Sequence, residues 1–256
     1  MKDENPKLWW KEVKRLSGSQ SNSGNVINLI HIEELEDCNN QELANIINQA
    51  FLEPLEEYRS EQPLTKLPVP TESPKLHEVS EVRIMKLLAT LNQSKACGPD
   101  EIPNWLLKEY AELLAFPVSK IINSSFKEQR LPTIWKFADV SPLPKVKPVE
   151  DLKKHLRPIS LTPCLSKVAE ECVVVDYVKS AVLNVLDPSQ YGAVPKSSTT
   201  QGLIHMLHHW TKGCDGNGAT VRVTLYDYKK AFDLIDHRIL VNKLCKLDLP
   251  LSLIHI

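Results

Sequence analysis

Between residues 40 and 58, Leu43, Ile46, Ile47, Ala50 and Phe51 recur at three- and four-residue intervals in an acidic background, which predicts an amphipathic helix bent or ended near Pro54. Ser80 is placed to cap a second helix carrying Ile84, Leu87, Leu88 and Leu91. Gly98-Pro99-Asp100 reads as a turn before a helix admitted by Pro103, and an apolar helix over 113–126 is closed by Leu131-Pro132 and by Trp135, a candidate core anchor. Residues 137–145 and 157–161 predict two short strands of a hairpin, joined by a polar, basic loop over 146–156. The span 166–185 predicts a helix that the run Val173-Val174-Val175 marks as mostly buried. A loop over 187–200 and a further helix with His205, His208 and His209 follow. Val221, Val223 and Leu225 then alternate with Arg222, Thr224 and Tyr226, the period of a half-buried strand that ends on Asp227. After a turn over 227–230, the spacing of Ala231, Phe232, Ile235, Ile239, Leu240 and Leu244 predicts a helix. Outside this body lie a short helix over 6–16, a Gly/Ser/Asn linker over 17–25 and a proline-punctuated connector over 63–74.

Composition narrows the class. A chain of 256 residues with 42% hydrophobic content has enough apolar material for one large or two modest cores. The net charge of −1 hides a segregation: residues 33–61 are strongly acidic, whereas residues 130–157 carry Lys136, Lys145, Lys147, Lys153 and Lys154. Only the second segment suits a nucleic-acid backbone. The six cysteines form no C-x-x-C pair, and no signal peptide or apolar run of spanning length is visible, so reduced thiols in an intracellular protein, cytoplasmic or nuclear and without a membrane partner, are expected. The three histidines have a spacing that suits a metal, but with no Cys or acidic ligand beside them they read as exposed or capped side chains.

Asp227 carries the sharpest chemistry. A carboxylate at a strand end followed by a turn and a helix is most often a turn residue or a cap, but the spelling D-Y-K-K-A-F-D over 227–233 resembles the first catalytic motif of reverse transcriptases of non-LTR, LINE-type retrotransposons. Three other stretches are similar to the same family: P-K-L-W-W from Pro6, K-A-C-G-P-D-E-I-P from Lys95, and R-P-I-S-L-T-P-C-L-S-K-V-A-E from Arg157. The loop segment Q-Y-G-A over 190–193 is close to the family's Q-x-G-F, with Ala193 in place of Phe.

The resemblance implies an α+β fold, a right-hand polymerase fragment. It would comprise a helical linker and N-terminal extension over 1–94, fingers over 95–219 and the first strand and helix of the palm over 220–250. Residues 251–256 read as a non-native tail. The implied activity is RNA-directed DNA polymerisation on an RNA template with a DNA primer and deoxynucleoside triphosphates. By the same resemblance Asp227 binds magnesium, Phe232 is the wall that excludes a ribose 2′-hydroxyl, and Lys145 and Arg157, with Lys230, Ala231 and Phe232, hold the triphosphate. Such roles suit the residue types, because phosphoryl transfer needs a hard cation on carboxylate oxygen and fixed positive charge at the leaving pyrophosphate. Lys136, Lys147, Lys153, Lys154, Gln190 and Gly192 are expected along the nucleic acid. The family's partner carboxylates come from a later A-D-D turn, which these residues do not contain, so the chain alone is expected to be inactive and its first strand short of sheet partners. A second reading is a non-catalytic nucleic-acid-binding remnant of the fingers. A palm-like nucleotide cyclase shares the strand-end Asp but leaves the hairpin and R-P-I-S-L without a role.

Overall fold

The structure is a computed structural model that describes residues 29–35, 37–56, 77–215, 219–228, 232, 234–250 and 253. The expected helix over 6–16, its linker and the connector over 63–74 lie outside them. The described chain is mostly helical with one two-stranded antiparallel sheet. Its residues group into two compact units, one made of 29–56 with Asp139–Leu161, the other of 77–138 with the chain from Thr162 onward.

In the first unit, helix α1 (Asn40–Glu56) starts where the Asn39 side chain accepts from the N–H groups of Gln41 and Glu42, and it carries Pro54 in its last turn. Leu43, Ile47 and Ala50, spaced four and three apart, are buried on one face against Val149, Leu152 and Leu156. These last three come from the hairpin. Strand β1 (Asp139–Pro144) and strand β2 (Leu156–Leu161) pair antiparallel, Asp139 opposite Leu161 and Pro144 opposite Leu156. Pro142, Pro144 and Pro158 cannot donate to a ladder, and they are tolerated because each strand of a two-stranded sheet has a free edge.

The larger core belongs to the second unit. Helix α2 (Glu81–Ala89), capped by the Ser80 hydroxyl accepting from Arg83 N–H, buries Ile84 and Leu88 completely. Helix α3 (Asn104–Glu109) follows Pro103, and helix α4 (Ala111–Glu128) inserts Ala111, Ala115, Val118, Ile122 and Phe126, one continuous stripe at helical spacing. Gln129, in the left-handed region at φ 53°, terminates α4. Trp135, in a 3₁₀ turn over Thr133–Lys136, is buried against this stripe as expected. Helix α6 (Cys164–Val173) closes the core with Cys164, Val168, Ala169 and Cys172, whose thiols burial pushes up and leaves un-ionised. No disulfide links any of the six cysteines.

Two motifs distant in sequence meet here. A Cβ on Gly98 would lie 2.5 Å from the backbone of Thr162 and Pro163, so the K-A-C-G-P-D turn and the T-P step that leads into α6 approach closer than any side chain permits. Asn123 on α4 clamps the segment before α2, its Oδ1 accepting from Val79 N–H at 2.8 Å and its Nδ2 donating to Val79 C=O at 3.0 Å.

Three expectations are corrected. The Val173-Val174-Val175 run is not mostly buried: α6 ends at Val173, a π-helical turn spans Val174–Val178, and Val174 and Val175 are about half exposed. Successive helical positions point about 100° apart, so three adjacent residues cannot all face one core. The chain continues as helix α7 (Lys179–Val185). Residues 221–225 form no strand: the segment 219–228 has no regular secondary structure and pairs with nothing among the described residues. Alternation prepares a strand, whereas a strand exists only when its N–H and C=O groups find a neighbouring chain. Finally, the last helix starts at His237, not near Ala231; Phe232 and Leu234 lie in turns. The Asp236 carboxylate sets that start by accepting from Arg238 and Ile239 N–H, a stronger signal than the apolar spacing before it.

Candidate nucleic-acid interface

The basic residues of the hairpin are sorted by their partners. The 146–155 connection is not a bare loop but is pinned from inside by Val149, fully buried, whose N–H donates to Leu29 C=O at 2.8 Å and whose C=O accepts from His31 N–H at 2.9 Å. It ends in one helical turn, α5 (Leu152–His155), capped by Asp151, whose carboxylate accepts from Lys153 and Lys154 N–H. That carboxylate also pairs with Lys154 Nζ at 3.0 Å, which holds the Asp151 carboxyl below its ordinary value, and Lys153 Nζ pairs with Glu53 Oε2 at 2.5 Å. Two of the expected nucleic-acid lysines thus each have a carboxylate partner. Asp151 is a sequence neighbour of the two lysines, whereas Glu53 arrives from another element.

Lys145, Lys147 and Arg157 are exposed and have no ion pair among the described residues. Arg157 lies opposite Leu143, and Lys145 N–H donates to His155 C=O at 2.7 Å, which carries the ladder one step past Pro144. Alternation along β1 therefore puts 145 on the same face as 143 and 157, and places Lys145 and Arg157 as diagonal neighbours, roughly 7–8 Å apart in a regular ladder. Lys136, exposed at the end of its 3₁₀ turn, belongs to the other unit.

Gln190 and Gly192 are exposed in the loop before helix α8 (Thr199–Cys214), and Gln190 is engaged within that loop, donating from Nε2 to Gly192 C=O at 3.0 Å. Ala193 and Lys196 adopt φ of 58° and 61°, uncommon for residues with a Cβ. Helix α8 begins in a capping box between Ser198 and Gln201.

Asp227 is exposed at the end of the unpaired segment, and Phe232 is 93% exposed; Lys230 and Ala231 lie outside the described residues. Asp236, the nearest described carboxylate in sequence, is taken up by Arg238, whose Nη2 lies 2.8 Å away and holds the Asp236 carboxyl down to about 2. No group of three His, Cys, Asp or Glu among the described residues is arranged to hold a metal. Asp227 and the other described residues do not by themselves make up a magnesium centre. Nor is any helix among the described residues long and apolar enough to cross a membrane.

Comparison with known proteins finds distant, partial similarity. The chain is distantly homologous to the RNA-directed DNA polymerases of non-LTR retrotransposons. It is 26% identical over 166 residues to a protein of Drosophila melanogaster named as a probable RNA-directed DNA polymerase from transposon BS, covering 64% of this chain and 18% of that protein. It is 27% identical over 161 residues to the corresponding protein of the X-element in the same organism, covering 62% and 17%, respectively. A third similarity, 26% over 163 residues, is to an uncharacterized 149 kDa protein of transposon TX1 from Xenopus laevis, covering 63% and 12%. The chain therefore spans less than one fifth of the length of these relatives. No protein-family model matches it.

Proposed function

We propose that the chain is part of an RNA-directed DNA polymerase of a mobile element, the fingers and the opening of the palm of a right-hand polymerase, and that its hairpin grips phosphate through Lys145 and Arg157. One observation carries the reading: these two cations share a face at the mouth of the hairpin with no carboxylate on either among the described residues, while the adjacent Lys153 and Lys154 are each paired with one. Arginine's planar fork takes two phosphate oxygens at once and lysine adds a point charge, the combination that suits a triphosphate. The homology to polymerases supports nucleic-acid substrates, here an RNA template and a DNA primer with deoxynucleoside triphosphates, and the place of action is proposed to be the cytoplasm or nucleus. On this reading Asp227 contributes one carboxylate to a magnesium site in the longer polymerase and Phe232 lies against the sugar. Gln190 and Gly192 face the template path.

The exposed, unclustered position of Asp227 favours a second reading for the chain by itself, a nucleic-acid-binding segment without chemistry. Both are tested by fluorescence anisotropy with a labelled RNA–DNA hybrid and with a labelled deoxynucleoside triphosphate across a salt series. Replacing both Lys145 and Arg157 by Ala should weaken triphosphate binding at least tenfold and lower the salt slope for the hybrid by about two, roughly one per phosphate contact removed. Replacing Lys153 and Lys154 should change the slope less. Triphosphate binding indifferent to Lys145 and Arg157 would leave only the second reading, and a hybrid affinity flat in salt would remove both.

A further inference from the structure

We propose that Pro142, Pro144 and Pro158 close the outer edges of the hairpin to strand addition, and that the partner they exclude is the hairpin of a second copy of this chain. The inference goes beyond the polymerase reading and does not depend on it. It rests on which way each backbone group of the ladder points. In an antiparallel pair, opposed residues alternate between those that exchange both N–H···O=C bonds and those whose N–H and C=O groups point away from the partner. Lys145 N–H donates to His155 C=O at 2.7 Å, one step beyond the opposed Pro144 and Leu156. The bonded pairs are therefore Lys145 with His155, Leu143 with Arg157, Ser141 with Ile159 and Asp139 with Leu161. Val140, Pro142 and Pro144 of β1, and Leu156, Pro158 and Ser160 of β2, turn their backbone groups outward.

Every proline of the two strands thus falls on an outward position. On β1 Val140 alone keeps an outward N–H, and on β2 Pro158 interrupts the edge between Leu156 and Ser160. An incoming strand needs a donor and an acceptor at every second residue, and a pyrrolidine ring removes the donor and stands in its place. Among the described residues no third strand joins the sheet at either edge. The rest of the hairpin suits self-pairing. Val140, Leu143 and Ile159 are exposed, and each six-residue strand carries a single charge, Asp139 on β1 and Arg157 on β2. Short, weakly charged, β-prone segments are those that pair with copies of themselves, and like edges can meet antiparallel about a two-fold axis. The prolines are the feature that stands against it.

The test compares the unaltered 256-residue chain with a Pro142→Thr/Pro144→Thr double variant, a Pro158→Thr variant and, as a control, Pro188→Thr in the exposed loop after α7. Sedimentation velocity over a concentration series reads association, and hydrogen exchange reads the outward amides. In the double variant association should tighten by about tenfold or more, and Val140 N–H should gain protection as concentration rises, while the inward amides of Ser141 and Leu143 keep theirs. Pro158→Thr tests the β2 edge independently, with Ser160 N–H as its readout. These amides separate edge pairing from clumping through other exposed apolar side chains, such as Leu203 and Leu207 on α8. The proposal is overturned by variants that associate no more than the unaltered chain, by association that leaves Val140 and Ser160 N–H unprotected, or by an equal gain in Pro188→Thr. Protection of Val140 that already rises with concentration in the unaltered chain overturns it as well.

Discussion

At the scale of single residues, charge and space each give a measurable consequence. The Asp236 carboxyl, held at about 2 by its hydrogen bonds with the Arg238 guanidinium and backbone, starts from an ordinary value of 3.8. A carboxyl depressed on folding contributes stability that is present above its unfolded value and lost as pH falls through the folded one. The start of the last helix, α9 (His237–Leu244), should therefore loosen between about pH 4 and pH 2, read from the amide shifts of Arg238 and Ile239, and Asp236→Asn should remove that titration. Gly98 is a matter of space. An alanine methyl would sit 2.5 Å from backbone atoms that have no rotamer to give, so Gly98→Ala should destabilise the second unit by about 1–3 kcal/mol, the cost of overpacking. A denaturation midpoint unchanged from the unaltered chain would mean that the two backbones are not in contact.

At the scale of elements, what could be read from the sequence depended on whether the deciding partner was local. The stripe on α4 and the face of α1 follow from three- and four-residue spacing alone, and Ser80 signals the start of α2 within three residues. The hairpin was legible too, since its turn-rich connection brings its own partner strand; the buried Val149 inside a basic stretch was not, because its partners, Leu29 and His31, lie more than a hundred residues away. The segment 219–228 shows the limit from the other side. Its alternation is as regular as that of a strand, yet Leu225 is 81% exposed and no described residue pairs with its backbone. The candidate site divides in the same way: the identities of Lys145 and Arg157 were readable, but Glu53 on Lys153 was not. Backbone amides over 221–226 should thus exchange with solvent at nearly the rate of an unstructured peptide, and protection of Val223 or Leu225 comparable with that of β1 would show a strand after all.

At the scale of the whole molecule, two compact units imply two cores whose stabilities need not be equal. The first is small, with Leu43, Ile47, Ala50, Val149, Leu152 and Leu156 as its buried apolar residues. The second runs from Val79 through the α4 stripe to Cys172, with Ile84, Leu88 and Ile122 completely buried. Truncating a buried isoleucine to alanine costs about 2–5 kcal/mol, and a small core has little surplus to absorb that loss. In the first unit the same contacts that bury Ile47 hold the hairpin that presents Lys145 and Arg157, so the phosphate grip proposed for them depends on the stability of this smaller core. Ile47→Ala should accelerate amide exchange throughout β1 and β2 and weaken triphosphate binding, while the amides of Val118 and Ile122 on α4 keep their protection. Ile122→Ala should do the reverse, lowering protection across α2, α4 and α6 and leaving β1 and β2 as they were. Either variant accelerating both groups of amides together would show that the chain opens as one cooperative body.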